Sequence, residues 1–319
     1  MHSAPRCHHD KFRLHPYTRG VPALSHRRTR ALALVTAMVV FAGVLTDSAA
    51  AVLRPGQSSA HLLGPGDHHL SLAWGGLTRT LILHVPSGQP RAGRPLILVF
   101  HGGGDTAATT IAKTNFEQVS NVTGDLVAFM QGYENYFNEQ TSPNPAAMAH
   151  INDVGYTAAT LNLLRSLTKY DPARVALSGF SNGAMMVETL GCRLAGRIRL
   201  IVPVEGELNT PISPTCHPAR PISVYEIHAT ADTSIPYDGG PFAGTGGTVY
   251  VLSAPASAAR WAALDGCRAG PRRTRGAGVI FSTYGSCRAG VTVTLRTILG
   301  GSHVWGASIG NIVAAALAR

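Results

Sequence analysis

The stretch that decides the fold is RVALSGFSNGAMM, at residues 174–186. It opens with an apolar run, 175–177, that predicts a buried strand, and closes with another, 184–187, that predicts a buried helix. Between them lies Gly179-Phe180-Ser181-Asn182-Gly183, a Gly-X-Ser-X-Gly pattern in the strand–turn–helix setting that gives it meaning. Such a tight turn holds the serine in strained backbone and needs glycine on both sides. Ser181 is therefore the candidate nucleophile, at the positive end of a helix.

The same pattern occurs once more, from Gly306 to Gly310, with Ser308 at its centre. The chain contains 35 glycines, so a chance match is expected. No apolar strand leads into this second match, which therefore lacks the context that the first one has. We interpret Ser308 as a helix-start or loop residue.

Strand-like and helix-like segments alternate along the rest of the chain. The predicted helices are 105–120, capped by Asp105, with 153–167, 254–264 and 305–318. Gly75-Gly76 joins the first two strands as an antiparallel edge. The alternation predicts an α/β domain, a mostly parallel central sheet with helices on both faces and no large lid. The predicted strands are 70–74, 80–85, 95–100, 125–130, 175–177, 200–204, 222–227 and 291–299.

The first 51 residues have the composition of a secretory leader. The first fifty hold seven Lys and Arg against two Asp and Glu, which is half of the formal net charge of +10. A basic segment is followed by an apolar run, 31–45, and by Ser48-Ala49-Ala50-Ala51, as in a signal peptide. Arg27-Arg28 allows the twin-arginine route, and an uncleaved membrane anchor is the alternative. We expect a leader at 1–51, a mature domain at 52–319 and a secreted protein.

The charge of the mature domain does not favour nucleic-acid binding. No basic run interleaved with aromatic residues occurs after residue 50. The densest cluster, Arg272-Arg273-Thr274-Arg275, is short and lies beside Gly and Pro, so we interpret it as a solvated loop. We expect no nucleic-acid partner, no membrane span once the leader is removed, and a monomer.

A serine nucleophile needs a base and an acid from later in the chain. After a turn of this kind the order is serine, acid, histidine. Asp232 follows the strand at 222–227 and is the candidate acid, with Asp238 as the alternative. His303 follows the strand at 291–299, after Gly300-Gly301, and is the candidate base. We expect His228 to lie beneath the loop of the acid.

Acyl transfer also needs hydrogen-bond donors for the oxyanion. One is the backbone N–H of the residue after the nucleophile, here Asn182. The other comes from the loop after an early strand, where the chain reads His101-Gly102-Gly103-Gly104. Glycines let this backbone approach a substrate carbonyl closely, and we predict that Gly103 supplies the second donor.

Four cysteines lie in the mature domain, and Cys7 lies in the leader. Sequence alone allows three pairings of four cysteines, of which we predict Cys192–Cys216 and Cys267–Cys287. Each bond would close a loop that stabilises the fold by about 3 kcal/mol. The histidine pairs His8-His9 and His68-His69 lack a third ligand at useful spacing, and no phosphate-binding loop occurs. We therefore expect neither a metal nor a cofactor.

With these residues in place, the chain resembles the secreted esterase family of poly(3-hydroxybutyrate) depolymerases, feruloyl esterases and acetylxylan esterases. The resemblance implies an α/β-hydrolase fold with Ser181, Asp232 and His303 as the catalytic triad. The family's histidine loop commonly reads Gly-Gly-Gly-His-X-Trp-Pro-Gly, whereas here Ser302 replaces a glycine and no proline follows Trp305. The matching stretches are RPLILVFHGGG (94–104), NDVGYTAATLNLL (152–164), DPARVALSGFSNGAMM (171–186), IHATADTSIPYDGG (227–240) and GGSHVWG (300–306).

Together these observations predict a secreted serine esterase. Depolymerases that attack solid polyester usually carry a polymer-binding domain; we expect none here, which favours a feruloyl or acetyl-xylan type of ester. The alternatives are a polyester depolymerase, a peptidase, and an inactive hydrolase-like binding protein. Aromatic side chains are expected to line the substrate side of the site, namely Phe180, Tyr133, Tyr136 and Trp305.

Overall fold

A ten-stranded sheet forms the centre of the protein, described over residues 62–88 and 91–319 by a computed structural model. The predicted leader and the boundary at residue 51 lie outside the described residues. The strands of this sheet are β1 (Gly66–Trp74), β2 (Leu77–Val85), β3 (Leu96–Phe100), β4 (Leu126–Met130), β5 (Val175–Phe180), β6 (Leu200–Val204), β7 (Ser223–Ala229), β10 (Ala269–Gly276), β11 (Val279–Gly285) and β12 (Val293–Ile298).

The order of the strands is β1-β2-β4-β3-β5-β6-β7-β12-β11-β10. The six central strands, from β4 to β12 in this order, are parallel, whereas the two strands at each end are antiparallel. The predicted mostly parallel sheet and its antiparallel first edge are therefore confirmed. Because the central strands are parallel, their carboxyl ends meet at one edge of the sheet, where sites form in such folds.

Helices cover both faces of the sheet, as predicted. In β3, Leu96, Leu98 and Phe100 pack into one core cluster, while Ile97 and Val99 pack into the other, as expected for a strand buried on both faces. The first cluster includes side chains of α4 (Asp153–Thr168), α5 (Asn182–Leu194) and α6 (Ala254–Leu264). The second cluster includes side chains of α1 (Ala107–Lys113), α2 (Phe116–Thr123) and α7 (Ile309–Leu317). A short helix, α3, covers Pro145–Met148.

The helix predicted at 105–120 is two helices, and its cap is not Asp105. Thr106 caps α1, since its hydroxyl accepts from the N–H of Thr109. The chain leaves α1 at Thr114, whose hydroxyl donates to the carbonyl of Thr110 at 2.7 Å. Asn115 then accepts from the N–H of Gly310 at 2.9 Å, so the break connects this segment to α7. Hydroxyl groups that compete for backbone partners explain why apolar periodicity alone missed the break.

Two hairpins were not predicted. The segment Arg272-Arg273-Thr274-Arg275 lies in β10, an exposed strand at the sheet edge, so its interpretation as a loop was wrong. Pairing with β11 decides its conformation, and arginines on an edge strand discourage pairing with other chains. The second hairpin consists of β8 (Gly240–Gly244) and β9 (Gly247–Val251), which form a separate two-stranded sheet.

The two disulfides have the predicted pairing. Cys192 in α5 is bonded to Cys216, and Cys267 after α6 is bonded to Cys287. The second bond connects α6 to the segment that leads into β12, the strand before His303. Among the described residues, no helix combines the length and the apolar character needed to cross a membrane.

Candidate active site

The turn between β5 and α5 places Ser181 at the carboxyl end of a central strand. Its φ of 55° and ψ of −119° lie in a region that residues with a side chain rarely adopt. A side chain at Gly179 would overlap the carbonyl group of Gly183, and one at Gly183 would overlap the carbonyl group of Phe100. Glycine at both positions therefore permits the tight turn, which leaves the hydroxyl of Ser181 at the N-terminus of α5.

Asp232 and His303 are in direct contact. Nδ1 of His303 donates to Oδ2 of Asp232 at 2.6 Å. The other carboxylate oxygen, Oδ1, accepts from the backbone N–H groups of Ser234 at 2.7 Å and Ile235 at 2.9 Å. Burial alone would raise the pKa of Asp232, but hydrogen bonds from His228 and His303 hold the pKa of this carboxyl well below its usual range. Asp232 is therefore a carboxylate at neutral pH, in a fixed orientation.

The loop that carries His303 is attached to the loop that carries Asp232. The N–H of Ala231 donates to the carbonyl of Gly301 at 3.0 Å, and the N–H of Gly300 donates to the hydroxyl of Thr230 at 2.9 Å. The ring of His303 packs on that of Phe180, with centroids 4.6 Å apart. Since Phe180 directly precedes Ser181, this contact places the imidazole beside the turn.

The contact between Ser181 and His303 is not formed as a hydrogen bond. Within the described part of the chain, neither the hydroxyl of Ser181 nor Nε2 of His303 has a hydrogen-bond partner. Catalytic hydrogen bonds are often long without substrate and tighten when it binds. Ser181 and Asp232 nevertheless line one cleft. Asp238, the alternative acid, is exposed and forms no hydrogen bond with His303.

A buried cluster lies beneath Asp232. His228 is 1% exposed, and its Nε2 lies 3.2 Å from Oδ2 of Asp232 and 3.4 Å from Oε2 of Glu205. Its other ring nitrogen, Nδ1, contacts Oε1 of Glu207. The expected position of His228 beneath the acid loop is therefore confirmed. The two glutamates were missed, because Glu205-Gly206-Glu207 follows β6 without any pattern that connects it to Asp232.

The two predicted oxyanion donors are neighbours. A Cβ atom placed on Gly103 would lie 3.6 Å from Cβ of Asn182. Among the described residues, neither backbone N–H has an acceptor, so both are free to bind an oxyanion. His101 fixes the loop: its Nδ1 donates to the carbonyl of Gly102 at 2.8 Å and its Nε2 accepts from Gly132 at 3.0 Å. Burial lowers the pKa of His101, which fits this neutral ring.

Behind Asn182 lies a buried glutamate that sequence analysis missed. The side chain of Asn182 accepts from the N–H of Phe137 at 2.8 Å, and its amide lies 3.5 Å from Oε2 of Glu139. Glu139 also accepts from the N–H of Ser142 at 2.9 Å and from the side-chain amide of Asn144 at 3.1 Å. Burial raises the pKa of Glu139 to about 8. Glu139 thus holds the loop that backs the oxyanion donors, and burial favours the protonated form of its carboxyl.

The cleft has a volume of about 790 Å³. Of the four aromatic residues predicted for the substrate side, Tyr136 lines it. Phe180 and Trp305 instead stack on each other beside His303, with centroids 5.4 Å apart. Tyr133 is not among the lining residues, and its backbone pairs with that of Tyr136.

The hairpin β8–β9 supplies part of the cleft lining, including Phe242 and Thr245. The hydroxyl of Thr245 donates to that of Tyr136 at 3.2 Å, so the hairpin tip touches the loop beside Gly103. One signal was available in the sequence: the β-forming run Val249-Tyr250-Val251 follows a Gly-rich turn. In the structure, the two valines are buried and Tyr250 is exposed.

Two groups of carboxylates and imidazoles come together although their spacing in the sequence gave no metal pattern. In each group the potential ligand atoms lie within 4.8 Å of one another. In the first, Nδ1 of His84 is hydrogen-bonded to Asp67 at 2.6 Å, with Glu117 nearby. The second is the cluster of Glu205, His228 and Asp232, whose atoms are within ion-pair distance of each other and are hydrogen-bonded to backbone groups and to His303. The absence of a metal remains a prediction.

Comparisons with known proteins find esterases among the proteins similar to this chain. The chain is 28% identical to feruloyl esterase B of Piromyces equi over 232 residues, which is 72% of this chain and 43% of that protein. It is 30% identical over 166 residues to NocK of Nocardia uniformis subsp. tsuyamanensis, a protein assigned as an esterase, covering 51% of this chain and 48% of that one. The chain thus spans less than half the length of the curated relatives it matches. No protein-family profile matches the chain.

The fold is that of the α/β-hydrolases. An acetyl xylan esterase from Aspergillus awamori superposes with a TM-score of 0.58 at 12% sequence identity. The match covers 75% of this chain and 94% of that structure. At this level of identity the match establishes the shared architecture, which the resemblance of the motifs predicted.

Proposed function

We propose that this protein is a secreted serine carboxylic-ester hydrolase that acts through an acyl-enzyme. The observation that carries the proposal is the 2.6 Å hydrogen bond between His303 and Asp232, beside a Gly-X-Ser-X-Gly turn that presents Ser181. In this proposal Ser181 is the nucleophile, His303 the general base and Asp232 the group that orients the imidazole. The hydrogen bond between His303 and Asp232 supports this proposal, because it is present without a substrate.

In the first half-reaction, Oγ of Ser181 bonds to the ester carbonyl carbon while Nε2 of His303 takes the hydroxyl proton. Asp232 stabilises the imidazolium that forms. The N–H groups of Gly103 and Asn182 donate to the oxyanion, and each such donor is worth about 3 kcal/mol in the transition state. The alcohol then leaves with the proton from His303, and the acyl group stays on Ser181.

In the second half-reaction, His303 takes a proton from water as the water oxygen bonds to the acyl carbon. The tetrahedral species collapses, the carboxylic acid is released, and the proton returns through His303 to Ser181. Every step uses groups of this chain and the two substrates, ester and water.

The proposed substrates are feruloyl and acetyl esters of polysaccharides. One relative is named a feruloyl esterase, and the structural neighbour an acetyl xylan esterase. The cleft offers the aromatic rings of Tyr136 and Phe242 beside the hydroxyl groups of Ser142 and Thr245, which suits an aromatic acid linked to a sugar. Two disulfides support folding in an oxidising compartment, and so support secretion.

Turnover of p-nitrophenyl acetate by the purified protein tests the activity. Ser181→Ala is expected to lower kcat/KM by at least about 10³-fold, because the nucleophile is lost. Ser308→Ala is the matched control, since Ser308 is the exposed centre of the other Gly-X-Ser-X-Gly sequence. Equal rates for wild type and Ser181→Ala, both folded by circular dichroism, would overturn the proposal.

A substrate panel tests the choice of ester. Methyl ferulate and acetylated xylan are expected to be cleaved, with release of ferulate and acetate, and polyhydroxybutyrate film to release no soluble product. Release of hydroxybutyrate oligomers from the film, with both polysaccharide-type esters left intact, would favour the polyester alternative instead.

A further inference from the structure

We propose that His228 and Glu207 form a buried charge pair that acts on His303 through Asp232 and sets the lower pH limit of activity. Both are positioning residues, since both are almost fully buried and neither lines the cleft. This inference rests on the proposed function, because it assumes that His303 is the base.

The geometry places His228 directly behind the catalytic acid. Its Nε2 is 3.2 Å from Oδ2 of Asp232, the same oxygen that accepts from His303 at 2.6 Å. The two imidazoles therefore share one carboxylate oxygen. Nε2 also lies 3.0 Å from the carbonyl of Ile235, on the loop that holds Asp232. A proton on Nε2 thus points at the carboxylate and at its loop.

On the other side of the ring, Nδ1 of His228 contacts Oε1 of Glu207, which is 2% exposed. Glu207 belongs to the segment after β6, so the pair connects two neighbouring strands of the sheet. With a carboxylate oxygen at each nitrogen, the ring is set up to carry two protons and one positive charge. From the partly exposed His303 towards the core, the contacts run through Asp232 and His228 to Glu207.

Other titratable groups face this chain from every side. Glu205 lies 3.4 Å from Nε2 of His228 and accepts from the N–H of Ala229 at 2.9 Å. The ring of Tyr237 lies edge-on to His228, with centroids 5.8 Å apart. Deeper in the core, Glu226 of β7 accepts from Ser257 at 2.6 Å, and Glu188 of α5 accepts from the indole of Trp261.

The protonation states that these contacts favour can be ordered. Burial alone lowers the pKa of His228, but the carboxylates of Glu207, Asp232 and Glu205 together raise it to about 11. Burial raises the pKa of Glu205 to about 8 and that of Glu226 to about 8, and burial also raises the pKa of Glu207 and of Glu188. Glu207 is in direct contact with Nδ1 of His228, whereas Glu205 lies farther from the ring, 3.4 Å from Nε2. The expected state at neutral pH is a cationic His228 between two carboxylates, with a proton on Glu205.

A positive charge behind Asp232 offsets part of the negative charge that His303 faces. His303 then releases its proton at a lower pH than it would next to an uncompensated carboxylate, and the enzyme stays active further into the acid range. Glu207 acts in the opposite sense, because it offsets the charge of His228. The charges of His228 and Glu207 together thus set the pH at which His303 releases its proton, while Asp232 keeps the imidazole oriented.

The test is the acid limb of the pH profile of kcat/KM, measured with p-nitrophenyl acetate from pH 4 to 9. His228→Gln keeps an N–H donor near Asp232 but removes the charge, and is expected to move the midpoint up by about half to one pH unit. Glu207→Gln removes the negative charge that offsets the positive charge of His228. This variant is expected to move the midpoint down by a similar amount. Glu205→Gln is expected to leave the midpoint in place, because this group already carries a proton in that range.

His84→Gln is the matched control. His84 is also a buried histidine hydrogen-bonded to a carboxylate, but it lies on β2, four strands away from β6 in the sheet. Its variant is expected to leave the profile unchanged. Shifts of the same sign in His228→Gln and Glu207→Gln, or no shift in either, would overturn the inference while the requirement for Ser181 stood.

A second measurement needs no variant that might weaken the fold. Histidine-selective ¹⁵N NMR of the wild-type protein is expected to show His228 doubly protonated from pH 5 to 9. A neutral tautomer for His228 at pH 7 would overturn the inference without bearing on whether Ser181 is the nucleophile.

Discussion

The two walls of the cleft are built differently. The elbow wall, formed by Gly103, Ser181 and Asn182, lies on the turn after β5 and the loop after β3, where a side chain at Gly179 or Gly183 would overlap backbone and one at Gly103 would overlap the ring of Tyr136. The hairpin wall, formed by residues 240–251, belongs to a separate two-stranded sheet. Its strands rest on a small cluster of Met185, Ile235, Val249 and Val251. One wall is therefore fixed by the main sheet, and the other is a peripheral addition.

Substitutions in the two walls should therefore have different effects on activity. The elbow wall holds the groups proposed to act on the ester bond itself, so a change there should affect every ester alike. The hairpin wall offers side chains such as Phe242 to the rest of a substrate, so a change there should alter the preference between esters.

Loss of the charge on Asp232 should have the largest effect. Asp232→Asn keeps the shape of the side chain but disturbs the tautomer and orientation of His303, and is expected to lower kcat by about 10³–10⁴-fold for all esters. Asp238→Asn is the control, because Asp238 is the exposed carboxylate of the next turn. Steady-state kinetics with acetyl and feruloyl esters measure both variants. A loss confined to one ester would break the separation between the walls.

A methyl group on the elbow wall should have the next largest effect. A Cβ atom at Gly103 would lie 2.7 Å from the ring of Tyr136, so that ring or the loop must shift. Gly103→Ala is expected to lower kcat/KM by about 10²-fold, since displacement of a catalytic donor by about 1 Å costs this much. Gly196→Ala is the control, since no atom lies within 4 Å of a Cβ at that position. Unchanged turnover in Gly103→Ala would contradict the assigned donor.

Truncation on the hairpin wall should change preference rather than rate. Phe242→Ala removes a ring from the cleft, and is expected to lower kcat/KM for methyl ferulate about tenfold relative to the acetyl ester, given about 1–3 kcal/mol for an apolar contact in a substrate pocket. Tyr250→Ala is the control on the same hairpin, where the side chain is exposed and does not line the cleft. An equal loss of kcat/KM for both esters in Phe242→Ala would mean that Phe242 contributes to the reaction itself and not to the preference between esters.

The smallest effect on activity is expected from Glu139, and it should be visible in stability. Burial raises the pKa of Glu139 to about 8, above the value of about 4.3 in an unfolded chain. Its contribution to the free energy of unfolding is therefore complete below about pH 4 and is lost as pH rises through about 8, at up to about 1.4 kcal/mol per pH unit. Glu139→Gln removes this dependence.

Urea unfolding of wild type and Glu139→Gln between pH 5 and 8 measures the effect as a difference between the two proteins. As pH rises, the free energy of unfolding of the wild type is expected to fall relative to that of the variant. The exposed Glu134→Gln is the control, with a constant difference from wild type. A constant difference for Glu139→Gln as well would mean that this carboxyl is ionised in the folded state.

The elbow wall is also the part of the site that sequence predicted. Ser181 has strained backbone, and Gly179, Gly183 and Gly103 stand where a side chain would overlap its neighbours, so the requirement is written as short local patterns. Asn182 follows from its position directly after the serine. Asp232 and His303 follow from the order of the strands in a parallel sheet. Their hydrogen bond could be expected because both loops leave the same edge.

The hairpin wall and the buried cluster could not be predicted in the same way. The position of β8 and β9 depends on packing against Met185 and Ile235, contacts that join distant parts of the chain. Glu205 and Glu207 contact His228 only because β6 pairs with β7 in the folded sheet, which no local pattern indicates. Glutamate is usually exposed, so the sequence favours the wrong expectation for these buried carboxylates.

The most direct test of the central claim is covalent labelling of the active protein with a fluorophosphonate, followed by peptide mass spectrometry. We predict one phosphonylated residue, Ser181, with labelling that parallels loss of activity and is slowed at least about 10³-fold in His303→Ala, because the hydroxyl then lacks its base. Labelling of another serine such as Ser308, or labelling of Ser181 at an unchanged rate in His303→Ala, would contradict the account.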